Sequence, residues 1–224
     1  MPQCAPASGM QFYSTSTDGW MSTRDRPQPS STAPFKQLAE TDRLRIAVSI
    51  AAVAAVSVDG DTVSFVALEI EYVVGDATAP KGAGSQVVAH VCNDAGGWGK
   101  GFVVAVSRRW PEPEAAFRSW YRERATNDFA LGAVQLVRVT GALYVANMIG
   151  QHGYRPSPGD PPVRYQAIES ALGTLGEKAL GLGATVHMPR IGCGLAGGRW
   201  ELIEPLIKER LIRRGVAVTV YDLP

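Results

Sequence analysis

Apolar and polar positions alternate with a period of two, or recur with a period near 3.6, through most of the chain after residue 66. Leu68–Val74 (LEIEYVV) alternates as a half-buried strand does, and Gly75-Asp76 breaks it. Val87–Cys92 is a short apolar run that predicts a buried strand, followed by a loop from Asn93 to Gly97. A helix is expected from about Gly99 to Arg109. A second, with Pro113 in its first turn, is expected to reach about Arg124. Val134–Val139 and Leu143–Ile149 predict two neighbouring strands. The stretch Gly150–Pro162 carries four prolines and predicts a loop. Tyr165–Leu182 has helical periodicity, Thr185–Met188 reads as a strand, Trp200–Arg213 as a helix and Val216–Tyr221 as a last strand. Strands alternating with helices imply an α/β architecture, a sheet with parallel parts covered on both faces. Ligands of such folds lie beyond the carboxyl ends of the strands, so loops that follow strands are the ones to inspect.

The N-terminal part differs. Residues 1–40 are rich in Ser, Thr, Pro and Gln, and Arg26–Pro34 (RPQPSSTAP) has the composition of disordered sequence. Ile46–Val58 is apolar but shorter than the roughly 20 residues a membrane-spanning helix needs. It is expected to pack on the domain as a helix or strand, or to belong to the extension. Residues 1–65 are therefore expected to be a largely disordered N-terminal extension and residues 66–224 the folded domain. Composition changes the picture little. A hydrophobic fraction of 46% allows a sizeable core, and a formal net charge of +1 lacks the basic excess of a protein that coats nucleic acid. The three cysteines, Cys4, Cys92 and Cys193, have no metal-ligand or disulfide spacing. With no signal peptide at Met1–Gly9, the expectation is a cytoplasmic monomer with no metal, cofactor or membrane association.

Three loops carry candidate chemistry. In Met188–Trp200 (MPRIGCGLAGGRW) a strand runs into four glycines within seven residues and then a helix. Glycine lets the backbone approach a ligand closely, and free N–H groups beside a helix start suit a diphosphate. In Asn93–Gly101 (NDAGGWGKG) Asn93 offers donors and acceptors for sugar hydroxyls. Lys100 is followed by Gly101 rather than Ser or Thr, which excludes a Walker loop and leaves Lys100 as a solvated lysine. The missing acidic residue after a second strand excludes the Rossmann fingerprint. Asp76, at the end of the first strand, could accept a hydrogen bond from an exocyclic amine or cap a turn. His90 and His187 fall within strands and read as structural. Cys193 has no base beside it and does not read as a nucleophile.

Together the segments VVGDAT (Val73–Thr78), VCNDAGGWGKG (Val91–Gly101), ANMIGQHG (Ala146–Gly153), MPRIGCGL (Met188–Leu195) and VTVYDL (Val218–Leu223) resemble the macrodomain family. MPRIGCGL followed by Trp200-Glu201 is similar to the branch containing terminal ADP-ribose protein glycohydrolases, DNA ADP-ribosyl glycohydrolase antitoxins and ADP-ribose 1″-phosphate phosphatase. The resemblance implies a three-layer α/β/α fold with a central mixed sheet. It implies that Asp76, with Ala77, meets the adenine and that Tyr221 stacks near it. Asn93, Gly97, Gly99 and Gly101 would hold the distal ribose, with Asn147 also in contact with ligand. Ile191, Gly192, Cys193, Gly194 and Leu195 would cradle the diphosphate. The branch has an attacking lysine where this chain has Gln151, and an acidic residue where it has Ala196. Asn93, Gln151 and His152 are left as catalytic candidates, His152 because an imidazole can serve as acid or base. The expected function is hydrolytic removal of ADP-ribose from modified protein or from thymidine in DNA. The alternatives are a non-catalytic ADP-ribose-binding module and a phosphatase acting on ADP-ribose 1″-phosphate.

Overall fold

The computed structural model describes residues 53–59, 62–155 and 159–223. The described residues form eight strands: β1 (Val53–Asp59), β2 (Thr62–Ala67), β3 (Glu71–Val74), β4 (Ser85–Asn93), β5 (Val134–Thr140), β6 (Leu143–Gln151), β7 (Ala184–Pro189) and β8 (Val218–Asp222). The helices are α1 (Phe102–Arg109), α2 (Glu112–Arg122), α3 (Tyr165–Leu182) and α4 (Trp200–Arg210), with a 3-10 turn at Ile212–Arg214. Six strands form one sheet in the order β3-β8-β7-β4-β6-β5, parallel except for β5, which runs antiparallel to β6.

Alternation along β4 explains the layers. Val87 and Ala89 point to one face and pack with Ile168, Leu172 and Leu175 of α3. Val88 and Cys92 point to the other, Val88 against Val106 and Trp110, Cys92 against Phe117 and Trp120. A strand apolar on both faces can sit only in the middle of a covered sheet, and β4 does, between β7 and β6. In α3 the buried positions Ile168, Ala171, Leu172, Leu175 and Ala179 follow the helical spacing. Gly183, at φ 56, ends the helix in the left-handed cap conformation. The result is the expected three-layer α/β/α arrangement around a mixed sheet.

Several boundaries differ from expectation. The first strand of the large sheet starts at Glu71, not Leu68, and α1 starts at Phe102, because Gly101 at φ 78 is outside the helical region. The last helix stops at Arg210 and tightens into the 3-10 turn, closed by Gly215 at φ 86. The loop expected from Gly150 yields its first two residues to β6, and Gln151 bridges to Val163. The expectation of a largely unstructured 1–65 is corrected over its last part. Strands β1 and β2 pair antiparallel from Val53↔Ala67 to Asp59↔Thr62, a separate two-stranded sheet. Residues 1–52, which include the expected flexible stretch 1–40 and the apolar Ile46–Ala52, lie outside the described residues.

Candidate functional site

The carboxyl ends of β4, β6 and β7 open onto a cleft of about 810 Å³. Its walls come from the loop after β4 (Asn93, Gly97–Gly101), the loop after β6 (Gln151, Tyr154, Arg155) and the loop after β7 (Arg190–Gly192, Gly194–Ala196).

The loop after β4 is stapled by its own first residue. Asn93 Oδ1 accepts from the N–H groups of Ala95 (3.1 Å) and Gly97 (2.8 Å), and Asn93 Nδ2 donates to Gly97 O at 2.6 Å. Gly96 adopts φ 71, and a Cβ there would lie 2.4 Å from the Tyr121 ring, so no other residue fits. Asn93 therefore shapes the loop after β4 through its own hydrogen bonds. Both lone pairs of Oδ1 are taken, and one amide hydrogen of Asn93 is left without an acceptor among the described residues.

The loop after β7 is a tight coil. Gly198 N–H donates to Gly192 O at 2.8 Å, and a Cβ on Gly198 would lie 2.5 Å from that oxygen. Gly197 N–H donates to Gly194 O and Cys193 N–H to Arg190 O. Among the described residues, the N–H groups of Gly192, Gly194, Leu195 and Ala196 have no acceptor, and all four residues line the cleft. Gly194 and Leu195 are exposed, Gly192 is half-buried and Ala196 buried; successive unpaired backbone N–H groups in a Gly-rich coil that lines a cavity suit an oxyanion. Arg190 anchors the start of the coil. Its Nε and a terminal nitrogen donate to both Asp222 oxygens at 2.6 and 2.8 Å, and its guanidinium lies over Tyr72 and Trp200 at 5.3 and 5.1 Å from the ring centres. The guanidinium holds the Asp222 carboxyl below its usual range.

Beneath the cleft floor lies a buried polar chain. Asn147 Nδ2 donates to Pro113 O and Gln135 Oε1, both at 3.0 Å, so its Oδ1 must accept from His90 Nε2–H at 2.8 Å. That fixes the His90 tautomer and leaves Nδ1 to accept the Cys92 thiol at 3.7 Å. Burial lowers the His90 pKa from 6.5 to about 4 and raises that of Cys92, so the pair is neutral and Cys92 is no nucleophile. Asn147 is fully buried and its amide is spent on protein partners, which corrects its assignment as a ligand contact.

The remaining expected residues form a second group at the ends of β3 and β8, apart from the residues that line the cleft. Asp76 accepts from the N–H and hydroxyl of Thr78, each at 2.8 Å, stands 3.7 Å from Arg109, and stays half exposed. Ala77 is buried beside it. Tyr221 is 7% exposed and its hydroxyl lies 3.0 Å from His187 Nδ1, while the ring packs under Gly75. This leaves it little free face for stacking. His187 is buried and engaged by Thr185 and Tyr221, a structural histidine. Cys193 is partly buried, and desolvation raises its thiol pKa.

Gln151 lines the cleft, with Nε2 donating to Gly153 O at 3.3 Å and Oε1 unengaged. His152 does not line it. Its Nδ1 is 2.6 Å from Asp94 Oδ2, while Asp94 Oδ1 accepts from Gly153 N–H at 2.8 Å. The imidazole is thus held by Asp94 through Nδ1 and stays exposed. Asp94, Trp98, Tyr154, Arg155 and Arg190 were not singled out from sequence. Asp94 and Arg190 lie inside the two Gly-rich motifs, with no spacing of their own that sets them apart; Tyr154 and Arg155 sit in a proline-rich loop with no pattern to mark them.

No family model matches the chain. A solved macrodomain protein from Streptomyces coelicolor is 63% identical, with 69% of this chain and 99% of that one covered and a TM-score of 0.63. Chromodomain-helicase-DNA-binding protein 1-like from Mus musculus is 31% identical over 164 residues, 69% of this chain and 18% of that protein. An ADP-ribose 1″-phosphate phosphatase from Meyerozyma guilliermondii is 26% identical over 68% of this chain and 98% of that protein. The chain spans less than a fifth of the length of the first curated relatives it matches. With the three-layer fold and the paired Gly-rich loops at the strand ends, these likenesses place the chain in the macrodomain family.

Proposed function

We propose that the cleft binds ADP-ribose and that the chain hydrolyses the bond joining ADP-ribose to a modified protein or to thymidine in DNA. The observation that carries the binding half is the row of unpaired N–H groups at Gly192, Gly194, Leu195 and Ala196, which matches the oxygens of a diphosphate. The ligand would run across the strand ends, with adenine at Asp76, diphosphate over the coil after β7 and distal ribose against Asn93 and Gln151. Four strand spacings separate β3 from β6, roughly 19 Å at about 4.8 Å each, a span suited to an extended nucleotide sugar.

Gln151 supports a mechanism without a covalent adduct, since an amide is no nucleophile. Its free Oε1 accepts a hydrogen from water and aims that oxygen at the anomeric carbon. The bond to the leaving group breaks with its electron pair, and the water proton passes to solvent. His152, oriented by Asp94 at the rim, supplies the proton to a leaving group that protrudes there. A second reading, a module that binds without cleaving, draws support from the absence of any carboxylate among the cleft-lining residues and from Ala196. The M. guilliermondii relative supports a third, phosphate release from ADP-ribose 1″-phosphate.

Mass spectrometry of ADP-ribosylated protein, thymidine-ADP-ribosylated oligonucleotide and ADP-ribose 1″-phosphate after incubation separates the three. Free ADP-ribose from either macromolecule, lost on Gln151→Ala with affinity retained, is the expected result. Binding with no turnover on any of them leaves the module. Phosphate release alone leaves the phosphatase. An adduct trapped on Lys100 by borohydride overturns the direct-water mechanism.

A further inference from the structure

We propose that Lys100 and Arg155 form, with Tyr154 and Leu195, an anion subsite at the cleft mouth that takes a phosphate ester carried by the group attached to the distal ribose. This rests on the ADP-ribose reading above and specifies the far end of the same site.

Charge is the first observation. The cleft walls carry three cations, Lys100, Arg155 and Arg190, and no Asp or Glu. Asp222 neutralises Arg190 through two hydrogen bonds. Lys100 and Arg155 are both exposed and make no ion pair among the described residues. Asp94, the nearest acid in sequence to Lys100, is turned to His152 and to Gly153 N–H. Two unneutralised cations on the walls of one cleft give a local positive potential, although the chain as a whole carries only +1.

Placement is the second. Lys100 belongs to the loop after β4 and Arg155 to the loop after β6, on the side of the cleft opposite β3 and β8. The diphosphate donors belong to the coil after β7, between the two ends. An anion held by Lys100 and Arg155 is therefore a further one, beyond the distal ribose.

The apolar rim is the third. The Tyr154 ring lies across Gly97, where a Cβ would come within 3.2 Å of it, yet the residue is 58% exposed. Leu195, 66% exposed, reaches over Gly101, where a Cβ would stand 3.5 Å from its methyl. An exposed aromatic face beside two cations is the combination that holds a base together with its phosphate. A protein acidic side chain as leaving group offers neither partner.

The test compares affinities within one variant. Titration calorimetry of the full chain carrying Gln151→Ala, expected to bind without turnover, with and without Lys100→Gln/Arg155→Gln, uses ADP-ribose, ADP-ribose 1″-phosphate and a thymidine-ADP-ribosylated single-stranded oligonucleotide, at two salt concentrations. The double substitution is expected to lower the affinity for at least one phosphate-bearing ligand about tenfold relative to ADP-ribose and to flatten its salt dependence. Loss confined to the oligonucleotide identifies a nucleic-acid strand as the source of the phosphate; loss with ADP-ribose 1″-phosphate identifies the sugar phosphate. Equal loss on all three ligands, or loss on none, overturns the subsite while leaving ADP-ribose recognition intact. Failure of the parent chain to bind ADP-ribose overturns the reading of the cleft, and the subsite with it.

Discussion

Asn147 illustrates how an amide that looks suited to a ligand can be consumed by the fold. Every polar atom of its side chain is paired in a site with no solvent, and His90 depends on it for its only strong partner. Asn147→Ala should cost about 2–3 kcal/mol by orphaning His90 Nε2–H and taking the donor from Gln135 Oε1, seen as a lower urea midpoint. His90 also makes stability depend on pH. Its folded pKa, about 4, lies below the ordinary 6.5, so the unfolded chain binds more protons between those values. Stability is then full above about pH 6.5 and falls as pH drops towards 4, by about 3 kcal/mol for this group. Melting temperatures measured from pH 7 to pH 4.5 should decline, and less steeply in a His90→Gln variant. Gly198→Ala is the sharpest test of the coil after β7. The 2.5 Å approach to Gly192 O forces the loop to move, so ADP-ribose affinity should fall at least tenfold while the helical circular dichroism is kept.

Long elements were legible because their pattern is redundant. The 18 residues of α3 repeat the apolar stripe often enough to fix both ends, and Gly183 marks the stop. Strand order was not legible, since β3 joins β8 through parallel pairing across more than 140 residues and nothing local encodes that. The hairpin β1–β2 was missed for a different reason. Val53–Ala67 reads VAAVSVDGDTVSFVA, with Gly60-Asp61 as a two-residue turn signature, but its Ala-rich opening resembles helix or extension. The two Gly-rich loops were legible as ligand loops, yet the partners that aim them were not. Asp94, Arg190 and Tyr154 act through residues distant in sequence, such as Asp222 with Arg190. Because β1 and β2 share no hydrogen-bonded strand with the large sheet, a chain starting at Leu68 is expected to fold. Its melting temperature and ADP-ribose affinity should match those of the full chain; a markedly lower melting temperature would show that the hairpin supports the domain.

For the molecule as a whole, ligand binding and folding are linked. If ADP-ribose binds with a dissociation constant on the order of micromolar, about 8 kcal/mol, then a hundredfold excess over that constant adds about 2.7 kcal/mol to stability. For a chain of this size the melting temperature should rise by roughly 5–10 °C, and no shift at millimolar ligand would refute the binding claim. Trp98 supplies an optical handle on the same event. Among the described tryptophans it is the one that lines the cleft, its indole N–H is fixed to Ser107 at 2.7 Å, and its ring meets His90 edge-on at 5.5 Å. A ligand entering the cleft displaces water from this indole and not from Trp110 or Trp120, which are buried in the helical layer. The intrinsic emission of the unlabelled chain therefore contains a reporter of occupancy, whose shift should saturate with the calorimetric isotherm and vanish in Trp98→Phe. The same indole rests against a histidine whose protonation destabilises the domain, so acid titration and ligand titration should move its emission in distinguishable ways.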